Sequence, residues 1–319
     1  MLFALSQLAT TIFETVKSMC DFEASLIGFE RCTHFKQLEP ELNYTNFEVE
    51  SKKVNDLAVG KAIFEATKLD MITQGKVEFI DVATRYSERS EIVLKDLNFV
   101  INPREKIGVI GRSGSGKSSF VKLLWNYLKP CEGNILIDGV DINKCDLKGI
   151  RSNMMILSQE ANLFEGTLRE NIDPLKQADT KKIEAILQRL NFNNKRYEQD
   201  GLKMYIEPEG GNLSSGEKQL VCFSRTLINK RKLYIFDEAT SNIDLKTEET
   251  IQDAVKSEFE ESTLIIIAHR IQTIMHCDKI LVLDNGSLKE FDTLSNLLKN
   301  KDSYFRQIYD AQQKKMNKN

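Results

Sequence analysis

The chain has no excess of basic charge, no pair of cysteines at metal-ligand spacing and no apolar run long enough to span a bilayer. Forty-four Lys and Arg against 47 Asp and Glu leave a formal net charge of −3 over 319 residues. That balance gives neither the basic footprint of a general nucleic-acid binder nor an acidic solvating character, so any positive charge that matters is local. The six cysteines (Cys20, Cys32, Cys131, Cys145, Cys222, Cys277) lie far apart with no C-x-x-C pair. This argues against a zinc site or a disulfide framework and suits a reducing compartment. The opening MLFALSQLATTIF is uncharged for thirteen residues, short of the roughly 20 apolar residues a spanning helix needs. It also has neither the cationic start nor the small-residue cleavage site of a secretory signal.

What is present is the composition of a folded protein, 41% hydrophobic and 29% charged, enough for one large domain or two modest ones. Apolar residues recur at helical spacing through Phe13, Val16, Cys20, Leu26 and Ile27, which predicts one long helix over residues 1–38. EPELNYTNFEVESKKVNDLAVG then turns polar and aperiodic, with Pro40 unable to sit inside a helix, so residues 39–74 read as a linker. From residue 75 the runs VEFIDV, IVLKDLNFVI, KIGVIG and GNILIDG have strand character, and LYIF and LIIIA are continuous apolar runs of the kind covered on both faces in a parallel sheet. The stretches SSFVKLLWNYL, DTKKIEAILQRL and SSGEKQLVCFSRTLI alternate with them as helices. Strand followed by helix, repeated, predicts an α/β domain over 75–300. Residues 301–319 are expected to hold the end of a helix and a frayed polar tail, AQQKKMNKN.

GRSGSGKSSF, residues 111–120, follows the strand-like IGVI and opens a helix. Gly111, Gly116, Lys117 and Ser118 fit G-x-x-x-x-G-K-[ST]. In that context glycines let the backbone wrap an anion, the helix start supplies N–H donors, Lys117 neutralises β- and γ-phosphates and the Ser118 hydroxyl ligates Mg²⁺. Asn143–Asp146, NKCD, matches the N-K-x-D that small G proteins use for guanine. However, it follows the hairpin-like GNILIDGVDI instead of a buried strand, and so lacks the context the motif needs.

Two further strands end on chemistry-bearing residues. Asp237 and Glu238 follow LYIF directly, and His269 follows LIIIA. Ligands bind beyond the carboxyl ends of an open parallel sheet, so Asp237 is a candidate Mg²⁺ ligand, Glu238 a candidate general base and His269 a candidate γ-phosphate contact. In GGNLSSGEKQL, Ser214 and Glu217 form an S-x-x-E capping box at the start of a helix with apolar face Leu220, Phe223 and Leu227. Glycines around that start leave a hydroxyl and backbone donors for a second anion.

These motifs, in this order, closely resemble the nucleotide-binding domain of ABC transporters over about residues 75–300. The resemblance implies an α/β fold with a P-loop NTPase core, an antiparallel β subdomain and a helical signature subdomain, here preceded by a long N-terminal helix. It implies ATP and Mg²⁺ as cofactors. Tyr86 in ATRYSE would stack on adenine. The turn of Gly111, Arg112, Ser113, Gly114, Ser115, Gly116, Lys117, Ser118 and Ser119 would cradle the phosphates. Gln159 in MILSQEANLFEGTLRENIDP would sense Mg²⁺ and the transmembrane part. LSSGE, Leu213 to Glu217, stands for the signature L-S-G-G-Q, with Ser214 and Gly216 as γ-phosphate contacts. Asp237 would hold Mg²⁺, Glu238 act as base, Asp244 in SNID form the D-loop, and His269 be the switch histidine. Two departures are Ser215 for the first signature glycine and Glu217 for the glutamine; they put the full strength of that half-site in question.

NLFEGTLRENIDP and DLKGIRSNMMILSQE look most like the second nucleotide-binding domain of the C subfamily, the multidrug-resistance-associated transporters. DFEASLIGFERCTHF is similar to the cytoplasmic end of that family's last transmembrane helix, which implies the C-terminal portion of a larger transporter. The resemblance further implies a second nucleotide-binding domain and transmembrane domains as partners, no nucleic acid, and a place on the cytoplasmic face of a membrane. The alternative is a soluble ABC ATPase acting on DNA or ribosomes, which shares the nucleotide motifs but usually adds a coiled-coil insertion or a second nucleotide domain.

Overall fold

The computed structural model describes residues 2–37, 72–145, 147–237, 243–268 and 270–316. The chain divides into two units, Met1–Gly60 and Lys61–Asn319. What is described of the first is helix α1 (Leu2–Gln37), matching the expected long helix. Its sequence is free of proline and holds one glycine, Gly28. The hydroxyls of Thr11, Thr15, Ser25 and Thr33 bond back to carbonyls four residues earlier, which satisfies these polar groups within the helix. Leu8, Ile12, Met19, Phe22 and Leu26 form an exposed apolar row. No described helix is long and apolar enough to cross a membrane. The expected linker, except for its last three residues, lies outside the described residues.

The second unit opens with β1 (Val77–Thr84), β2 (Leu94–Ile101) and β3 (Lys106–Gly111), followed by α2 (Lys117–Leu124). A hairpin of β4 (Pro130–Ile137) and β5 (Val140–Asp141) leads to α3 (Leu147–Asn153) and β6 (Met154–Leu157). The small sheet of β7 (Gly166–Thr167) and β8 (Tyr205–Ile206) flanks α4 (Leu168–Ile172), α5 (Thr180–Arg189) and α6 (Lys195–Asp200) in sequence. Then come α7 (Ser215–Ile228), β9 (Leu233–Asp237), α8 (Leu245–Glu258), β10 (Thr263–Ile267) and α9 (Ile271–Ile274). The chain closes with β11 (Lys279–Asp284), β12 (Ser287–Thr293), α10 (Leu294–Lys299) and α11 (Tyr304–Met316).

The large sheet runs β5-β4-β1-β2-β12-β11-β3-β10-β9-β6. Its first four strands pair antiparallel, whereas β11, β3, β10, β9 and β6 are all parallel neighbours. The apolar runs of the parallel part are explained by two cores. Leu233, Ile235, Ile265, Ile267, Leu281 and Leu283 join the β1/β2/β4 and α2 side; their alternates Tyr234, Phe236, Leu264, Ile266, Ile280 and Val282 join α7 and the helical side. A strand of period two, buried on both faces, must be apolar at every position. Phe79 stacks on both Phe99 and Phe120 in the first core; Phe223, Tyr234, Phe236 and Phe259 meet edge-on in the second.

This is the expected α/β fold with an antiparallel β part and a helical part. Three local features differ from the sequence reading. The helix expected through Leu128 stops at Leu124, because Asn126 takes a left-handed φ of 53° and its amide donates to the Ile142 carbonyl at 3.0 Å. The folded unit reaches back to Ile72, which is buried, and the Asp138 carboxylate accepts the N–H groups of Thr73, Gln74, Gly75 and Lys76 at 2.7–3.1 Å. At the other end, most of the expected frayed tail is helical, with α11 running to Met316 and anchored by fully buried Phe305. Glu290 caps that helix by accepting the N–H groups of Tyr304 and Phe305 at 2.8 and 2.9 Å.

Candidate nucleotide site

β3 delivers Gly111 to the carboxyl edge of the parallel sheet, and the chain turns there into α2. At Gly111 a Cβ would stand 2.3 Å from the Leu283 carbonyl oxygen and 2.4 Å from Ser115 Oγ, so only glycine fits between β11 and the turn. Gly116, which precedes α2, has φ 102° in the left-handed region, and its missing Cβ leaves room for Leu94. Lys117 is buried, and its ammonium donates to the carbonyls of Gly111 at 2.9 Å and Arg112 at 3.2 Å. The lysine is thus folded over the turn, not extended to solvent. The Ser115 hydroxyl is buried within the same turn without a hydrogen-bond partner. A buried orphan hydroxyl, a glycine cradle and an inward cation are what a phosphate group would satisfy. Arg112, Ser113, Gly114 and Ser118 are exposed around it.

Tyr86 lies just after β1, half exposed, with its hydroxyl 2.9 Å from Oγ of buried Ser119 on α2. The ammonium of Lys122, one turn along, sits 5.2 Å from the ring centroid. The aromatic expected to meet a base is therefore held against the helix that follows the phosphate turn.

The other strand-end residues share this edge. Asp237 ends β9, opposite Ile267 of β10, and Gln159 lies exposed two residues beyond β6, whose Leu157 pairs with Phe236. Since β3, β10, β9 and β6 are consecutive parallel neighbours, Gly111, Asp237 and Gln159 emerge on one side. Glu238 and His269 lie outside the described residues. Asn143 and Lys144 of NKCD follow β5, with five strands between β5 and β3; Asp146 lies outside the described residues.

Ser214 and Gly216 occupy a second location, the start of α7. The capping box is complete. The Glu217 N–H donates to Ser214 Oγ at 3.3 Å, and the Glu217 carboxylate accepts the Ser214 N–H at 2.8 Å and hydroxyl at 2.7 Å. The other carboxylate oxygen accepts the amide of Asn194 at 2.6 Å. A Cβ at Gly216 would stand 2.9 Å from Asp244 Oδ1 and 3.0 Å from Thr247 Oγ1, so the signature-like turn packs against the start of α8. Asp244 caps that helix, accepting the Thr247 hydroxyl at 2.8 Å and N–H at 3.0 Å. These bonds hold its carboxyl below the ordinary value of 3.8.

Asn194 gave no signal as a site residue: it reads locally as an ordinary cap of α6, accepting the N–H groups of Arg196 and Tyr197. Its second role, donating to Glu217, appears only when α6 and α7 are brought together.

A parallel sheet whose central strand runs through a glycine turn into a helix, with a buried lysine in the turn and an aspartate ending the next strand but one, defines a P-loop nucleotide-binding domain. Residues 94–241 match the family model described as ABC transporter, a span that contains the phosphate turn, the capped start of α7 and the end of β9. The chain carries the nucleotide-binding, ATPase domain of ABC transporters and is related to their C subfamily. It is 36% identical over 308 residues to Bile pigment transporter 1 of Saccharomyces cerevisiae, a match covering 91% of this chain and 19% of that protein. It is 40% identical over 234 residues to the vacuolar heme ABC transmembrane exporter abc3 of Schizosaccharomyces pombe, covering 73% and 16%. With mouse ATP-binding cassette sub-family C member 3 it shares 35% identity over 284 residues, covering 89% and 18%. A solved bacterial Atm1-family ABC exporter with ATP bound superposes with a TM-score of 0.71 at 32% identity, over 76% of this chain and 42% of that one. The chain thus spans less than a fifth of these three curated relatives.

Proposed function

We propose that the chain binds and hydrolyses Mg²⁺-ATP as the second nucleotide-binding domain of a C-subfamily exporter, at the cytoplasmic face of a membrane. On this reading residues 1–38 are the cytoplasmic end of the last transmembrane helix, 39–74 a linker, 75–300 the nucleotide-binding domain, and 301–319 a C-terminal helix and tail. The observation that carries it is the convergence of Gly111, Ser115, Lys117, Asp237 and Gln159 on one edge of the parallel sheet.

Tyr86 stacks on adenine, with Ser119 holding its hydroxyl. The N–H groups of the turn from Gly111 to Ser118 receive the phosphates, and Lys117 exchanges its two carbonyl partners for phosphate oxygens. Ser118, Asp237 and Gln159 are the residues to hold Mg²⁺, which when bound screens phosphate charge. Glu238 accepts the proton of the attacking water and His269 contacts the γ-phosphate, with catalysis resting on positioning and charge stabilisation. Ser214 and Gly216 at the start of α7, with Asp244 beside them, complete a second site across a head-to-tail pair with another nucleotide-binding domain. That arrangement accounts for two anion-binding turns in one chain. Closing and reopening of the pair drives attached transmembrane domains.

The test is steady-state hydrolysis by the chain and its Glu238→Gln variant, with Mg²⁺-ATP affinity measured separately. Turnover is expected to fall by about 10² or more with affinity retained, the scale for losing a general base. Equal turnover removes Glu238 from the role.

A further inference from the structure

Tyr86 is framed by the chain in and after α2. Just before it Thr84 is fully buried, and its hydroxyl donates to the Lys129 carbonyl at 2.6 Å. The tyrosine's own hydroxyl lies 2.9 Å from Oγ of buried Ser119, and the ammonium of Lys122 stands over the ring, 5.2 Å from its centroid. α2 is a firm base for both contacts, because Phe120, Leu123 and Leu124 anchor it in the core with no exposure. The helix that opens on the phosphate turn thus also sets where the ring stands.

Lys122 is exposed and, among the described residues, its ammonium has neither an ion-pair nor a hydrogen-bond partner. In the last turn of α2 a lysine meets the helix macrodipole in any rotamer, so the helix alone does not ask for this one. A ring face does, since the π quadrupole is negative there and attracts a cation placed over it. A cation on one face draws π density toward itself and leaves the opposite face less negative, which lowers the repulsion between two stacked π clouds. That gain grows with stacked area, so it is larger for a two-ring base than for a one-ring base. We infer that the opposite face of this half-exposed ring takes the base, and that Lys122 is a positioning and specificity-determining residue. Acting through Tyr86, it orients and polarises the stacking face and favours purine over pyrimidine nucleoside triphosphates. This rests on the proposed reading of Tyr86 as the stacking ring and adds to it a residue that reading leaves out.

The test is calorimetric titration of the chain, Lys122→Met, Tyr86→Leu and the double variant with Mg²⁺-ATP, Mg²⁺-UTP and tripolyphosphate, which has the phosphates and no base. Methionine keeps much of the apolar stem at an exposed position and removes the charge; leucine keeps apolar bulk and removes the ring. Lys122→Met is expected to weaken ATP about two- to five-fold, the scale of an exposed cation–π contact, to weaken UTP less, and to leave tripolyphosphate unchanged. In the Tyr86→Leu background the same substitution should cost nothing, because the lysine acts through the ring. Equal losses for ATP and tripolyphosphate would make Lys122 a plain phosphate-attracting charge and overturn the inference, as would a loss that persists without the ring. Tighter ATP binding by Lys122→Met would put the ammonium on the base's own face and overturn it too. In each of these cases weaker ATP binding by Tyr86→Leu leaves the stacking reading standing. Parent-like ATP affinity in Tyr86→Leu overturns that reading and the inference with it.

Discussion

Ser214 and Glu217 satisfy one another completely: backbone N–H and hydroxyl of the serine go to the carboxylate, and the glutamate N–H returns to the serine oxygen. The residue that departs from the family's glutamine is therefore built into the turn. Its second oxygen meets Asn194, whose own side-chain oxygen is committed to capping α6 and which can present only its amide. A carboxylate, with two acceptors, suits both partners. Glu217→Ala should destabilise the unit by about 0.5–2 kcal/mol, the range for losing a helix cap, with Glu217→Gln costing less. Urea unfolding of the two variants checks the order, and parent-like stability of Glu217→Ala would show that the capping geometry contributes nothing.

Gly111 tolerates no side chain. A Cβ there would meet the Leu283 carbonyl oxygen at 2.3 Å, and backbone cannot swing aside as a side-chain end can. Gly111→Ala is expected to cost about 1–3 kcal/mol, as for overpacking, and to abolish detectable ATP binding by shifting the turn. Gly114 has open space around its Cβ position but a φ of 79°, so Gly114→Ala should show the milder loss. Thermal denaturation with nucleotide titration separates the two.

Tyr86 offers a ring and a hydroxyl, and the two are separable. Tyr86→Ala removes the stacking surface, worth about 1–3 kcal/mol per base, and should weaken ATP about ten-fold or more. Tyr86→Phe keeps the surface and loses only the Ser119 contact, so its loss should be a few-fold. Fluorescent-nucleotide titration reads both, and equal affinities for Tyr86→Ala and the parent would contradict stacking.

Asp244 gives a pH dependence with a definite sign. Its bonds from Thr247 hold the folded carboxyl below the ordinary 3.8. The folded state therefore binds fewer protons than the unfolded chain across that interval. The stabilisation is present in full above the ordinary value and disappears as pH falls through the folded one. Thr247→Val, which removes the hydroxyl bond, should raise the Asp244 titration midpoint toward 3.8 in an NMR titration and make unfolding less steep on the acid side. An unmoved midpoint would mean that the Thr247 hydroxyl does not hold the charge.

Much of this was legible in sequence where the determinants are local. β3 coincides with KIGVIG, and α7 begins at the residue after Ser214 because a capping box and a 3.6-residue apolar period specify a helix by themselves. The all-apolar runs of β9 and β10 could be read as two-faced strands before their two cores were known. The determinants that escaped are contacts between distant segments. Asn126 ends α2 by reaching Ile142, Glu290 caps α11 from the preceding strand, and Gln312 finds Ile271 across 41 positions. A polar AQQKK reads as fraying when its partner is out of view. Glu248 and Arg270 were ordinary surface-type charges in sequence, and only the packing of α8 beside α9 buries one against the other.

The central claim is that the edge formed by Gly111, Lys117, Asp237 and Gln159 is an ATP site. Calorimetric titration of Mg²⁺-ATP into the chain and its Lys117→Ala variant tests it most directly. The account predicts saturable binding by the parent and a loss of about ten- to a hundred-fold in the variant, the equivalent of one charge-assisted hydrogen-bond set. No binding by the parent, or the same affinity in both proteins, would contradict it.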